Sequence, residues 1–360
     1  MVRSNALILT LALVLSSASF AHADIQVPFH TADINTALLM AGPGGTVTVS
    51  QGTYYANVSV PFSGQTLRAD GKATIDAGGG TGIFVAIGVT GVVIEDMNVR
   101  NCSTGIYVMG DNALVDGCQV RLAASYGVLL NNSDNSRVEH TKIKDTGSHG
   151  IYLYLANNCV VEECSVKRAT GNGFYVLGNV NSILDNKISD TVLHGIQLGT
   201  DTNVASGNLV EENEVTDAQQ DGIVCYNMAS NSTIQENVVR GTAYDGIDIF
   251  SGSNGHTLFK NKVYTSGDNG IEVGGDSCTV SENKCWQSLN NGIYVESGSN
   301  SSLYFKNKIK FCQDYGIRVW GTANTFTQNK MKFNLLMDLS SGVAAAANTW
   351  INNKYNTSNI

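Results

Sequence analysis

The run Gly150-Ile151-Tyr152-Leu153-Tyr154 decides the fold, because its outline returns along most of the chain. A glycine followed by an aliphatic or aromatic residue recurs at intervals of 22 to 27 residues. These glycines are Gly82, Gly105, Gly127, Gly150, Gly173, Gly195, Gly222, Gly246, Gly270, Gly292 and Gly316. A second column follows them in fixed phase, and such self-similarity indicates a repeat architecture. This column contains Met97, Cys118, Thr141, Cys164, Asn186, Asn213, Asn237, Asn261, Asn283, Asn307, Asn329 and Asn353.

Within each repeat, apolar and polar residues alternate over runs of four or five, which is typical of β-strands. Three short strands fit one repeat, separated by turns where Asn and Gly can adopt left-handed backbone conformations. A repeat of this length without a helix predicts one coil of a parallel β-helix, whose apolar face is buried by the next coil. We expect an all-β solenoid of about 11 to 13 coils, with asparagines hydrogen-bonded along its axis.

The N-terminal segment carries separate signals. Residues 1–23 have the features of a secretory signal peptide, with a short apolar run and a cleavage site after Ala23. We therefore expect a secreted or periplasmic protein in which residues 24–360 form a single domain. Residues 24–45 are predicted to form an N-terminal cap, where Asp33 begins a short amphipathic helix that covers the open end of the sheets.

Composition excludes several classes of protein. The chain has 22 Lys and Arg against 31 Asp and Glu, and a net charge of −9 argues against nucleic-acid binding. Apolar residues make up 42% of the sequence, so a large core is expected. Beyond the signal peptide, no stretch is long and apolar enough to span a membrane, and we expect a monomer. The eight cysteines lack paired metal-site spacing and are expected to be buried thiols.

The run Leu67-Arg68-Ala69-Asp70-Gly71 precedes these repeats. Together, the run and the repeats resemble the pectate-lyase-like right-handed β-helix superfamily. The resemblance covers essentially the whole mature chain and implies a right-handed solenoid. It also implies a substrate groove along the outer face of the strands that carry the glycine column. Lyases, hydrolases, epimerases and proteins without known catalysis share this fold, so function must be argued from the site.

Alternation identifies the side chains that face this groove. They belong to the residue before each glycine and to the residues two and four positions after that glycine. Aromatic residues recur there beside hydrogen-bonding groups, a combination that suits sugar rings. The predicted substrate-binding residues are Tyr107, Tyr126, Tyr154, Tyr175, Gln197, Tyr226, Phe250, Tyr294, Arg318 and Trp320. The simpler alternative is that outward tyrosines only reflect strand propensity.

Three residues are candidates for proton transfer. His149 and His194 lie two coils apart, on the order of 10 Å, and Tyr152 lies between them in the predicted groove. A His and a Tyr within reach of one sugar can remove the proton beside a uronate carboxyl and protonate the departing oxygen. We therefore predict His149, Tyr152 and His194 as catalytic residues.

Four carboxylates, Asp221, Asp245, Asp248 and Glu272, occupy adjacent coils. They repel one another unless a cation or a shared proton offsets their charge. A Ca²⁺ site is one solution, and a glycosidase carboxylate pair is another.

Two motif comparisons bear on these alternatives. The run Asp245-Gly246-Ile247-Asp248 resembles the aspartate region of polygalacturonase-type hydrolases, and Arg318 resembles their late arginine. The Gly-His-Gly that follows those aspartates is missing here, as is the Asp-Pro-His pattern of mannuronan epimerases.

The lysines that follow the Asn column are expected to form a solvated structural face. A non-enzymatic role as a carbohydrate-binding or structural β-helix remains an alternative. In addition, the run from His149 to Tyr154 resembles repeats of periplasmic proteins that assist copper-site assembly. His149 and His194 share the groove, but His140 lies on another face and His30 near the cap, so no cluster of three histidines and no tight transition-metal site is expected.

The leading prediction is an exported polysaccharide lyase or uronate epimerase acting on an acidic polysaccharide. Its first alternative is a polygalacturonase-like hydrolase that uses the Asp cluster.

Overall fold

A computed structural model describes residues 23–360 as a parallel β-helix. The predicted signal peptide, apart from Ala23, lies outside the described residues. Each repeat contributes three short strands that pair with the equivalent strands of the next repeat, always in parallel. Crossover connections between such parallel strands are right-handed, and the predicted fold class is confirmed.

One sheet, here called the groove sheet, carries the residues after the glycine column. Within residues 23–360 it has thirteen strands, at the upper end of the predicted number of coils. They are Val58–Val60, Ile83–Val85, Ile106–Val108, Val128–Asn131, Ile151–Tyr154, Phe174–Leu177, Ile196–Leu198, Ile223–Cys225, Ile247–Ile249, Ile271–Val273, Ile293–Val295, Tyr315–Val319 and Met337–Ser341.

The remaining faces belong to a second sheet that bends at the Asn column. Three strands begin it: Asp24–Val27, Thr46–Tyr55 and Thr66–Asp76. The strands before the column are Val93–Glu95, Leu114–Asp116, Arg137–Glu139, Val160–Glu162, Ser182–Leu184, Leu209–Glu211, Thr233–Gln235, Thr257–Phe259, Thr279–Ser281, Leu303–Phe305, Thr325–Thr327 and Thr349–Ile351. Those after it are Asn98–Cys102, Gln119–Ala123, Lys142–Thr146, Ser165–Ala169, Lys187–Ser189, Glu214–Thr216, Val238–Arg240, Lys262–Tyr264, Lys284–Trp286, Lys308–Lys310 and Lys330–Lys332. A small third sheet pairs Ala205–Ser206 with Ala229–Ser230.

The N-terminal segment contains the predicted helix, Ile34–Ala41. Asp33 caps it by accepting a hydrogen bond from the Thr36 amide at 2.7 Å. The segment from 24 to 45 also holds a strand, Asp24–Val27, that pairs with Thr46–Val49 and so extends the sheet up to the cap. A short 3₁₀ turn, Ala345–Ala347, lies near the other end. No helix within residues 23–360 is long and apolar enough to cross a membrane.

The glycine column stacks coil on coil, as predicted. A Cβ atom built on Gly150 would lie 2.7 Å from the carbonyl oxygen of Gly173 and 2.7 Å from a Val166 methyl. The same conflict with the next glycine's carbonyl, within 2.7 Å, recurs from Gly82 to Gly292. Glycine is required here because the backbones of successive coils leave no room for a side chain.

The asparagine column also stacks. In a typical step, the amide nitrogen of Asn237 donates to the Oδ1 of Asn261 at 3.0 Å and to the Val210 carbonyl at 2.9 Å. The ladder runs from Asn186 to Asn353 through every coil between them. Each buried amide is therefore paired, as burial of polar groups requires.

Asparagines such as Asn112 and Asn158 adopt left-handed backbone conformations in the turns, as predicted, but the stacked asparagines do not. The residue with positive φ is the one before the asparagine, such as Glu236 at 57° or Lys260 at 55°. The asparagine side chain points into the solenoid to make the ladder, so the tight turn falls on its neighbour, whose side chain points to solvent. Charged residues occupy most of these strained positions.

All eight cysteines are buried free thiols, as predicted. Burial raises the pKa of Cys102, for example, to about 11, so these thiols stay protonated and pack as small apolar groups.

The glycine column gives the first testable prediction. Gly173→Ala places a methyl group 2.6 Å from the Gly195 carbonyl, and such overpacking costs about 1 to 3 kcal/mol. We expect a lower midpoint in urea and in thermal unfolding. Gly298→Ala is the matched control, because its nearest neighbour would lie 3.6 Å away. Equal stability of the two variants would contradict the stacking account.

Candidate functional site

The outward residues of the groove sheet form one straight column. Parallel register aligns Tyr152 with Tyr175, then Gln197, Val224 and Asp248 on successive coils. It continues through Glu272, Tyr294 and Arg318. In the middle of the column Gln197, Val224 and Asp248 are buried. Flanking side chains therefore cover the groove floor at its centre.

An aromatic cluster fills the N-terminal half of this face. Tyr152 stacks on Tyr175 with ring centroids 4.9 Å apart, and His149 lies 4.6 Å from Tyr175. Tyr126 and Tyr154 complete the cluster, 5.3 Å and 5.6 Å from Tyr152. Burial raises the pKa of the Tyr152 phenol. The cluster offers an apolar, ring-lined surface with phenol groups on it, as a sugar-binding surface requires.

His149 is held by the backbone of the next coil. Its Nδ1 accepts a hydrogen bond from the Asn172 amide at 2.9 Å, so the proton of the neutral ring lies on Nε2. Burial lowers its pKa to about 4. At neutral pH His149 is therefore an uncharged hydrogen-bond donor within the aromatic cluster. Its predicted catalytic role is compatible with proton donation by Nε2 rather than with proton abstraction.

His149 belongs to an unpredicted ladder formed by the residues before the glycines. Asn172 accepts from the His194 amide at 3.1 Å, Asp221 from the Asp245 amide at 2.9 Å, and Asp245 from the Asn269 amide at 2.7 Å. We call it the edge ladder. Because each side chain stacks on the next coil, these residues are largely buried at the edge of the groove rather than projecting freely from it.

His194 is placed differently from His149. Its Nδ1 lies 3.0 Å from the Asp221 carboxylate and 3.3 Å from the Asp221 amide nitrogen. Only one of these contacts is a hydrogen bond at a time: with the ring proton on Nε2, Nδ1 accepts from the amide, and with the proton on Nδ1, Nδ1 donates to the carboxylate. Nε2 is then free to accept from the Tyr226 hydroxyl, 3.4 Å away. Tyr226 in turn stacks on Phe250 at 4.6 Å. Asp221, His194 and Tyr226 thus form a connected path for a proton.

The carboxylates of Asp221, Asp245 and Asp248 converge beside this path. One oxygen from each lies within 4.8 Å of the others, and all three residues are buried. Burial and the neighbouring Asp221 carboxylate raise the pKa of Asp245 to about 8. Burial and the charges of Asp245 and Asp221 raise that of Asp248 as well. The Asp248 carboxyl makes no hydrogen bond to any residue in 23–360. We call these three residues the carboxylate cluster.

Glu272 lies outside the group of oxygens that converge within 4.8 Å. Its carboxyl accepts from the Asn269 amide group at 2.7 Å and lies against Glu296. Burial and the hydrogen bond with Glu296 raise the pKa of Glu272 to about 9. Glu272 therefore keeps its proton near neutral pH.

The remaining predicted binding residues flank this centre. Gln197 accepts from the Asn172 amide at 2.7 Å, and Tyr107 accepts from Asn131 at 2.8 Å. Arg318 lies over the rings of Tyr315 and Trp320, 5.0 Å and 5.5 Å from their centroids. Alternation placed all of these residues on one face, but it gave no sign that Asn172 would connect His149, His194 and Gln197. The position before the glycine, occupied repeatedly by His, Asn and Asp, is the signal that could have found it.

The carboxylate cluster fits a calcium ion. Ca²⁺ takes oxygen ligands at about 2.3 to 2.6 Å, so ligands of one ion lie up to about 5 Å apart. Three converging carboxylates within 4.8 Å meet this condition. The absence of any basic partner of Asp245 or Asp248 within residues 23–360 leaves charge that a cation would neutralise.

Comparison with known proteins agrees with this architecture. A family model described as a right handed beta helix region matches residues 71–208 and 202–285. The chain belongs to this family. The search of curated proteins found no significant match.

Several solved structures share the fold of this right-handed β-helix protein. The A-module of the Azotobacter vinelandii mannuronan C-5 epimerase AlgE4 superposes with a TM-score of 0.67 at 18% identity, over 81% of this chain and 93% of that one. The periplasmic alginate epimerase AlgG gives 0.63 at 15% identity, over 88% and 84% of the chains. Pectate lyase Pel9A gives 0.57 at 16% identity, over 70% and 73%.

The carboxylate cluster predicts an unusual pH dependence of stability. The folded-state pKa of Asp248 is raised above the unfolded value of about 4, so without a cation its contribution to stability falls as pH rises above that value. In EDTA, Asp248→Asn is therefore expected to raise the melting temperature at pH 8 and to have little effect at pH 4.

Asp145→Asn provides the control with the opposite sign. The Arg168 guanidinium lowers the pKa of Asp145, so this change is expected to lower stability at pH 8. If Asp248→Asn also lowered the melting temperature at pH 8 in EDTA, the cluster would not be electrostatically strained.

Proposed function

We propose that this protein is an exported carbohydrate-active enzyme that removes a proton beside the carboxylate of a uronate in an acidic polysaccharide, with β-elimination or epimerisation as the outcome. The observation that carries the proposal is the Asp221, His194 and Tyr226 path, which ends beside the carboxylate cluster on a ring-lined face. The folds of two alginate epimerases and a pectate lyase support it as analogies.

The path can move a proton in either direction. With the ring proton on Nδ1, His194 donates to Asp221 and has a free Nε2, which takes the Tyr226 proton as the phenol acts on the sugar. A substrate sugar stacked on the Tyr226 and Phe250 rings would lie next to the phenol oxygen. Tyr226 is thus the base candidate or, once protonated again, the acid that delivers a proton to C5 or to the leaving oxygen. This extends the predicted role of Tyr226 from binding to proton transfer.

Removal of a proton next to a carboxylate places negative charge on that carboxylate, which the site must stabilise. We propose that Asp221, Asp245 and Asp248 hold one Ca²⁺ ion, which would supply this neutralisation when bound. Arg318, the cation of the groove face, lies several coils away and would hold the carboxylate of another sugar unit in the chain. Tyr152, Tyr175 and Tyr154 would bind sugars on the opposite side of the reacting unit.

A direct screen tests the proposal. The protein, produced without an affinity tag, is incubated with polygalacturonate, alginate and glycosaminoglycans near neutral pH, with Ca²⁺ or with EDTA. Ultraviolet absorbance reports unsaturated products, and proton NMR reports epimerised residues. We expect one of these two products on at least one polymer in Ca²⁺. Saturated products with new reducing ends, or no change in any polymer, would overturn the proposal.

The hydrolase alternative is less well supported by the geometry. Glycosidase carboxyl groups flank the scissile bond of the sugar, whereas Asp221, Asp245 and Asp248 are buried and each directs one oxygen toward the others, within 4.8 Å. That spacing suits a shared cation or a shared proton better than a sugar flanked by two carboxyl groups. A non-catalytic carbohydrate-binding role would require the aromatic cluster alone and leaves the proton path without a purpose.

Substitutions in the proton path are predicted to separate chemistry from binding. His194→Gln and Tyr226→Phe are expected to lower kcat by about 100-fold or more, as loss of general acid or base catalysis does, with little change in KM. The matched controls are His140→Gln, which alters an exposed histidine on another face, and Tyr355→Phe. Unchanged kcat in both site variants would exclude this path.

Calcium binding is predicted to depend on pH. Because the pKa of Asp245 is raised to about 8, protons compete with the metal below that pH, and affinity should rise by up to about tenfold per pH unit for each proton released. Calorimetry at pH 6, 7 and 8 measures both affinity and proton release. Asp248→Asn should weaken binding strongly, and Glu272→Gln, outside the cluster, should retain it. An affinity that does not vary over this pH range would contradict the site.

A further inference from the structure

A cleft of about 940 Å³ lies on a different face from the groove, beside the asparagine ladder. Its wall is a column of lysines, one on each of five successive coils, and we call it the lysine cleft. The column consists of Lys262, Lys284, Lys308, Lys330 and Lys354. Lys306 also lines the cleft, from the left-handed turn position of its coil.

The lysines are in strict register. Lys262 pairs with Lys284, Lys284 with Lys308, and Lys308 with Lys330 as direct neighbours in parallel strands, and a β-bridge joins Lys330 to Lys354. Adjacent coils are about 4.8 Å apart. Like charges directly opposite one another on neighbouring strands are destabilising. A repeated column of five therefore has an electrostatic cost that the fold itself does not require.

The charge of the lysine column is not neutralised by ion pairs within the described part of the chain. None of the five lysines forms an ion pair with a carboxylate in residues 23–360, although Lys260, at the near end of the cleft, pairs with Glu236 at 3.1 Å. The carboxylates of the lining, Glu212, Glu236 and Glu282, lie in its N-terminal half. In the C-terminal half, the equivalent left-handed turn positions are occupied by Lys306, Gln328 and Asn352. The C-terminal half of the cleft is thus lined by four lysines and no carboxylate, on a protein whose net charge is −9.

We propose that the lysine cleft is a binding site for a linear anionic polysaccharide that carries one carboxylate or sulfate per sugar, lying parallel to the axis of the solenoid. The spacing of the lysines matches the spacing of charges on such a polymer. The cleft offers one ammonium group per coil, and a sugar unit is similar in length to the coil spacing. A lysine column makes point contacts with the charge on each unit and no contacts specific to a base. The site goes beyond the proposed enzymatic function and holds whether or not the groove is catalytic.

A nucleic acid fits less well. Its strands carry a charge about every 3.4 Å, out of step with the lysines, and single-stranded binders rely on rings for base stacking. The residues that line the cleft include no aromatic side chain. Single-stranded DNA therefore serves as the competing arm of the test.

The experiment locates the polymer on the folded protein. Wild-type protein and the groove variant His194→Gln are acetylated with an amine-reactive ester, with and without saturating alginate oligomers, and each lysine is followed by mass spectrometry. We expect at least about threefold protection of Lys308, Lys330 and Lys354 in both proteins, and no protection of Lys72 or Lys187. Equal protection of all lysines, or protection of none, would overturn the proposal. Because His194→Gln removes a proposed catalytic group and leaves the lysine cleft unchanged, protection of the cleft lysines is read independently of the proposed enzymatic activity.

Affinity supplies the second measurement. The triple variant Lys308→Gln, Lys330→Gln and Lys354→Gln is compared with a control of equal charge, Lys72→Gln, Lys144→Gln and Lys187→Gln. Loss of three exposed ionic contacts should weaken binding of labelled alginate oligomers by about tenfold at low salt, and the control should bind as wild type does. Circular dichroism confirms the fold of both. Equal loss in the two triple variants, or single-stranded DNA binding as tightly as alginate, would overturn the proposal.

Discussion

The close stacking of backbone on backbone at the glycine column is the constraint on which the rest of the structure depends. At Gly150, as at its equivalents, the carbonyl of the next coil occupies the space where a side chain would lie. This approach holds successive coils in register, so that equivalent residues align along the whole rod. Every functional feature of the molecule is a column of this kind, and a shift of one residue in one coil would break all of the columns at once.

The columns differ in chemical function because their side chains have different hydrogen-bond partners. The asparagine ladder satisfies its own hydrogen bonds and is purely structural. The edge ladder uses the same geometry, but with His194 and Asp221 among its members it also brings a carboxylate to His194 Nδ1 and the Tyr226 hydroxyl to Nε2. The candidate site is therefore a structural ladder in which titratable residues have replaced amides. Two members of its carboxylate cluster, Asp221 and Asp245, are held in place by backbone amides even though the charges of the cluster repel.

Much of the fold could be predicted from the sequence, because the spacing of Gly150, Gly173 and their equivalents is a physical requirement of stacking. Alternation also placed the groove residues on one face. The turn at Glu236 was harder to predict, because the intrinsic preference of asparagine for left-handed conformations gave way to its inward hydrogen bonds. The contrast between His149 and His194 was beyond reach, because it arises from the Asp221 carboxylate, which adds a second contact at His194 Nδ1 to the backbone amide that both histidines meet.

The central claim is that the groove removes a proton from the carbon beside a uronate carboxylate. Solvent exchange measures this step without reference to the final product. A susceptible polyuronate is incubated with the protein and Ca²⁺ in D₂O, and both the residual polymer and the products are analysed by NMR and mass spectrometry. Proton removal by the groove should give deuterium at C5 of epimerised units, or unsaturated ends that have lost the C5 proton, and Tyr226→Phe should give neither. Cleaved chains whose terminal sugars are saturated and retain the original C5 proton would contradict it.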